Sequence, residues 1–145
     1  MGRAVIYMLD TNTNTNTNTN TCIYIINQRP PQVRARFEGL RYGAVAVAVS
    51  SITGAELAFG VAKSGSPRNQ NALEKFLAPL EVLPFDSEAM YGYGALRARL
   101  QASGQPIGAL DTLIATHALT VGATLVTNNR ADFDRVPRLA CENWV

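Results

Sequence analysis

The stretch from Ile107 to Phe133, IGALDTLIATHALTVGATLVTNNRADF, restricts the possible folds more than any other part of the chain. Leu110, Leu113, Ile114, Ala118 and Val121 recur at helical spacing, Gly122 stands where a helix stops, and Ala123 to Val126 is an apolar run of strand length. A helix that runs straight into a buried strand is one step of an α/β fold, and Thr127 to Arg130 must then be the loop leaving that strand. Asp111 falls in the first turn of the helix. Asp132 falls just beyond the carboxyl end of the strand, where open α/β sheets hold their ligands. Two carboxylates are therefore expected to face one crevice.

The rest of the chain repeats this alternation. Ala4 to Leu9 is a six-residue apolar run that ends in Asp10, and Ala44 to Val49 is a second run made of Ala and Val. Ser50, Ser51 and Thr53 then offer caps for a helix over TGAELAFGVAKS. Ser66 to Leu80 reads as a polar-faced helix and Glu81 to Phe85 as a third strand. Ser87 to Ser103 reads as a long helix carrying Met90, Tyr93, Leu96 and Leu100. After Pro137, LACENWV supplies a weak fifth strand at the sheet edge. Between the first two strands lies a Thr-Asn tract, Thr11 to Thr21, with no apolar residue to anchor it in a core. Two short helices follow the tract, CIYIIN and PPQVRARFEGL, with Arg29, Arg34, Arg36 and Arg41 around them. The pattern predicts a three-layer α/β/α sandwich with a mainly parallel sheet of four to five strands. With 145 residues, 47% of them hydrophobic, it fits a single domain over residues 1–145.

No apolar run approaches the roughly 20 residues of a membrane span, and MGRAVIYMLD lacks the features of a signal peptide. Cys22 and Cys141 lack metal-ligand spacing and read as free thiols of a reducing compartment. These features point to a soluble, cytoplasmic protein. The formal charge of +2 conceals an asymmetry: with four of the eleven acids set aside as one cluster, thirteen basic groups face seven acidic ones. That surface is a mild footprint for a polyanion such as nucleic acid.

The four acids are Asp10, Glu56, Asp111 and Asp132, and in a parallel sheet their places share one edge. Each has an ordinary structural explanation: an Asx turn for Asp10, a capping box with Thr53 for Glu56, the helix dipole for Asp111, a turn cap for Asp132. None of these explains the shared edge. Carboxylates gathered together repel and hold their protons unless a cation sits among them, and an all-oxygen site suits Mg²⁺ or Mn²⁺. Such a site activates water for phosphodiester hydrolysis without a side-chain nucleophile. His117 is the only histidine, which excludes a paired-histidine ribonuclease. It lies six residues after Asp111 on a different face of the helix, a poor place for a ligand. Lys63 and Lys75 have no nucleophile context, and there is no P-loop, dinucleotide fingerprint or serine elbow.

Four segments in this order, MLDTN, SSITGAEL, IGALDTLIATHAL and LVTNNRADFDRVPRL leading to ENW, resemble PIN-domain ribonucleases, specifically the VapC-type toxins of toxin–antitoxin pairs. The resemblance covers nearly the whole chain. It implies a Mg²⁺- or Mn²⁺-dependent endoribonuclease with Asp10, Glu56 and Asp111 as catalytic, metal-binding acids and Asp132 as the fourth. Asn12 and Thr127 match positions that support the acids. Asn129 stands where some members carry the fourth acid, and could orient water or the Asp111 carboxylate. The resemblance also implies a homodimer, a VapB-like antitoxin whose basic side chain enters the acid pocket, and structured RNA such as tRNA as substrate. The chain departs from the pattern in the Thr-Asn tract, where Thr13 to Asn20 are extra residues expected to be dispensable. Two rival readings are a catalytically inactive RNA- or antitoxin-binding PIN-like domain and a haloacid-dehalogenase-like phosphatase. The latter needs a second Asp where this chain has Asn12.

Overall fold

The structure, a computed structural model, describes residues 5–10 and 45–143. The Thr-Asn tract with Asn12, the two helices expected after it and Cys22 lie outside the described residues. The described elements are β1 (Val5–Leu9), β2 (Val45–Ser50), α1 (Ser51–Ser64), α2 (Pro67–Leu77), β3 (Glu81–Leu83), α3 (Ser87–Ala102), α4 (Ala109–Val121), β4 (Thr124–Val126), α5 (Arg130–Phe133) and β5 (Cys141–Glu142).

The five strands form one sheet in the order β3-β2-β1-β4-β5, with every pairing parallel. β1 is central because both of its faces are apolar. Leu9 and Tyr7 pack with Val47, Val49, Val126, Leu73 and Phe76 on the side of α1 and α2. Met8 and Ile6 pack with Leu125, Leu100, Ile114 and Ala118 on the side of α3 and α4. This two-sided burial makes the expected three layers. Tyr7 pairs with Thr124 and Leu9 with Val126, so β1 and β4 end together. The chain builds outward from β1 through β2 to β3, then crosses to the other side of β1 for β4 and β5. That reversal between β1 and β4 is the switch point at which parallel sheets open a crevice beyond their carboxyl ends.

Local chemistry fixes the helix ends. Ser50 caps α1 by accepting the Ile52 N–H at 3.1 Å, and Gly65 closes it in the left-handed conformation at φ 62°. Of the three caps the sequence offers, Ser50 is the one used; Thr53 is a buried residue inside α1, and the capping box that would have explained Glu56 does not exist. Helix α2 stops at Leu77 and β3 at Leu83, earlier than expected, because Pro79 and Pro84 have no N–H to continue the ladders. Helix α4 ends at Gly122 with φ 71°. It is buried at Thr112, Ile114, Ala115, Thr116, His117 and Ala118, so it is a core helix despite its hydroxyls. Those hydroxyls are satisfied locally: Thr112, Thr116 and Thr120 donate to the carbonyls of Gly108, Thr112 and Thr116 at 2.8, 2.7 and 2.8 Å. The weak edge strand expected after Pro137 is present as β5. Among the described residues no helix is long and apolar enough to cross a membrane.

Candidate active site

Asp10 is the first residue after β1, and its N–H donates to the Val126 carbonyl at 2.9 Å, which holds it against the end of β4. Its side chain is 1% exposed. The Thr127 hydroxyl donates to Asp10 Oδ2 at 2.6 Å. Thr127 is itself fixed from two directions, since its N–H donates to the Glu142 carbonyl of β5 at 2.9 Å and its Oγ1 accepts the Asn129 N–H at 2.9 Å. The Asn129 amide then reaches two further acids, with Nδ2 donating to Asp111 Oδ2 at 3.3 Å and to Asp132 Oδ2 at 3.1 Å. One connected network thus runs from the end of β1 through the β4–α5 loop to the first turn of α4. Among the described residues its donors to carboxylate are a neutral hydroxyl and a neutral amide.

The electrostatics match that description. Burial pushes the Asp10 carboxyl up to about 7; the Thr127 hydrogen bond opposes the rise and the neighbouring Asp111 charge adds to it. Asp111 is raised to about 6, mainly by burial and further by Asp132. Asp10 Oδ1 is buried with no hydrogen-bond partner among the described residues, an arrangement that costs free energy unless a donor or a cation meets its lone pairs. Thr53 Oγ1, near the start of α1, is also buried and has no partner among the described residues. Carboxylates linked through Thr127 and Asn129, with all-oxygen donors, are of the chemical type that a hard divalent cation takes.

The structure joins three of the four expected acids. Asp10, Asp111 and Asp132 are connected as described, whereas Glu56, half-buried on α1, has no hydrogen bond or ion pair to them among the described residues. Among the described residues no three acid, histidine or cysteine side chains already stand as a group ready to hold a metal ion. Thr127 and Asn129 take up supporting positions, and Asn129 contacts Asp132 as well as the Asp111 expected from the sequence. The short helix α5 was not expected. It places Asp132 three residues after Asn129 on a helical turn, the spacing at which helix side chains meet. His117 lies away from the acids, buried, with Nδ1 2.7 Å from Ser50 Oγ.

The family model for the PIN domain matches residues 18–139. Ribonuclease VapC2 of Rickettsia felis is 43% identical over 141 residues, covering 97% of this chain and 98% of that protein. The tRNA(fMet)-specific endonuclease VapC of Salmonella typhimurium is 41% identical over 139 residues, covering 95% of this chain and 97% of that protein. Among solved structures, the crystal structure of VapBC2 from Rickettsia felis bound to a DNA fragment from their promoter superposes with a TM-score of 0.84 at 42% identity, covering 97% of this chain and 100% of that one. The DNA-bound VapBC of Salmonella typhimurium follows with a TM-score of 0.83 at 39% identity, covering 97% and 99%. The chain belongs to the PIN-domain family, and within it to the VapC ribonucleases of toxin–antitoxin pairs.

Proposed function

We propose that this protein is the toxin of a VapBC-type pair, an endoribonuclease in which Asp10, Asp111, Asp132 and Glu56 hold Mg²⁺ or Mn²⁺ at the switch point of the sheet. The observation that carries the reading is the network Asp10–Thr127–Asn129–Asp111/Asp132, in which acids are gathered at the crevice and no cationic side chain of the described network neutralises them. The cation, when bound, supplies charge for the phosphodiester and lowers the pKa of a water for in-line attack.

The side chains divide the remaining work. Thr127 holds Asp10 in one rotamer and, by bonding Oδ2, leaves Oδ1 as the free ligand oxygen. Asn129 draws the Asp111 and Asp132 carboxylates to one amide, aligning two like charges that would otherwise separate. Glu56 approaches from α1 as the fourth acid. The substrate is RNA, and a folded RNA such as tRNA is favoured by the tRNA(fMet)-specific name of the Salmonella relative. The partner is a VapB-like antitoxin, as the VapBC complexes among the structural relatives support. It restrains the toxin by placing a basic side chain among the acids. The toxin acts in the cytoplasm as a homodimer of one PIN-like domain, and Thr13 to Asn20 are dispensable to it.

Purified protein incubated with total tRNA should cleave it when Mg²⁺ or Mn²⁺ is present, lose cleavage with a chelator and regain it on adding metal back. Cleavage indifferent to chelator would remove the metal from this reading. Normal growth of cells making the soluble, RNA-cleaving protein without its partner would remove the toxin role.

A further inference from the structure

Helices α1 and α4 carry the acids that the network above does not join to each other, Glu56 and Asp111. The two helices are tied at one buried point. His117 Nδ1 of α4 lies 2.7 Å from Ser50 Oγ, the N-cap of α1, across 67 residues of sequence, and both residues are at most 1% exposed. Ser50 stands six residues before Glu56, and His117 six residues after Asp111. At 1.5 Å per residue the tie is about 9 Å along each helix from the acid that helix carries. A third segment closes the node. The Phe85 N–H donates to Ser51 Oγ at 3.0 Å, and the Phe85 ring meets the His117 ring edge-on, centroids 5.4 Å apart at 81°.

The tie works with a neutral ring in either tautomer: Ser50 Oγ accepts the Ile52 N–H at 3.1 Å and keeps both a second lone pair and its own proton for Nδ1. Burial lowers the His117 pKa and favours this neutral ring, with Asp86 and the Pro84 carbonyl acting in the opposite sense. Nε2 is buried with no hydrogen-bond partner of ordinary geometry among the described residues. A core that needed only volume here would be better filled by Leu or Phe, which would leave no buried ring nitrogen to satisfy.

We propose that His117 is a positioning residue: through Ser50 it fixes where α1 enters the site, and so holds Glu56 at the cation-binding distance from Asp111. The inference rests on the metal-dependent reading given above. His117 touches neither RNA nor metal. Its contribution is the angle between two helices, and the loss expected is that of removing a group that orients a ligand.

The test compares side chains by where they place a polar group able to bond Ser50 Oγ. Asn carries its amide oxygen at the position of Nδ1 and can keep the bond to Ser50; Gln places its amide at the level of Nε2 and cannot. Mn²⁺ affinity is measured by calorimetry on each folded variant, together with kcat and KM for tRNA cleavage. His117→Gln and His117→Leu should each lose about 10- to 100-fold in Mn²⁺ affinity and kcat with KM for RNA little changed, while His117→Asn stays within a few-fold of wild type. Ser50→Thr, which keeps the hydroxyl, should likewise stay near wild type. If His117→Leu does not fold, the Asn and Gln pair carries the comparison. Equal metal affinity and kcat in the Asn and Gln variants, differing only in melting temperature, would overturn the positioning role and leave the nuclease reading intact. A wild type that neither binds Mn²⁺ nor cleaves RNA would overturn the nuclease reading, and this inference with it.

Discussion

On the β4 side of the site, Asp10 is held by Thr127 and Asp111 and Asp132 share the Asn129 amide, whereas on the α1 side Glu56 has no comparable bond among the described residues. The first side is organised by side-chain hydrogen bonds that exist before any cation arrives. The second is organised only by where a helix points. Carboxylates are held buried, and secondarily beside like charges, at a cost in free energy on the first side, as the raised Asp10 and Asp111 pKa values record. Mutations on the two sides should therefore have different signatures, with coupled changes in stability and activity on one and changes in activity alone on the other.

The largest effect is expected for Asp111→Asn, which removes a charge but almost no volume. Cleavage should fall by roughly 10²- to 10³-fold or more, the scale of losing one charge-stabilising group from an active site. The metal-free variant should melt higher than wild type, because the repulsion of Asp10 and Asp132 is relieved. A variant with wild-type cleavage and unchanged metal dependence would take Asp111 out of the site. Glu56→Gln should lose a comparable share of activity, yet its stability should stay within about 0.5 kcal/mol of wild type, as for a side chain with no structural bond to lose. A large fall in its melting temperature would show that Glu56 has a structural duty after all, and the contrast between the two sides would fail.

A smaller loss is expected for Thr127→Val, which removes the hydroxyl between Asp10 and Asn129. Activity should drop about 10- to 100-fold. The metal-free protein should lose stability on the order of 1.5–3 kcal/mol, typical of a hydrogen bond to a charged group. Chemical denaturation with chelator present measures the second quantity free of the first.

The smallest effect is a pH dependence of the metal-free protein. The folded-state pKa of Asp10, about 7, lies above its ordinary value of 3.8, so the folded chain holds a proton that the unfolded chain releases. The stability linked to that proton is fully present below about 3.8 and is lost as the pH rises through about 7. His117 acts in the opposite direction: its lowered pKa means that stability is lost as the pH falls through the ordinary value of 6.5. Comparing wild type with Asp10→Asn cancels the histidine contribution. Wild type should lose more stability than the variant between pH 5 and pH 8. Parallel curves would mean that the Asp10 carboxyl is ionised throughout.

The sheet was legible in the sequence because each strand is a short apolar run stopped by an identifiable residue, and Gly122 marked the end of α4 as clearly as any position does. Helix α5 was not legible, since four residues are too few to show a helical period. The N-cap of α1 was ambiguous because Ser50, Ser51 and Thr53 are all competent caps; what decides is that β2 runs one residue further, to Ser50, than its apolar run suggests. At the site, the approach of Asp132 to Asp111 could be inferred from sheet topology. Asn129 was half legible: its neighbourhood was foreseen, its second carboxylate was not. The bond from His117 to Ser50 left no local signal, because it joins residues 67 apart whose meeting depends on how two helices cross.

The bond from Thr127 to Asp10 spans 117 residues, and Thr127 is backed in turn by Glu142 of the short edge strand β5. During synthesis, Asp10 is made 117 residues before its partner hydroxyl exists. A ribosome paused anywhere before Thr127 carries a nascent polypeptide with the first acid and none of the network that arranges it. Assembly of the network is thus deferred until Thr127 and Glu142 have both been made, far downstream of the acid they arrange.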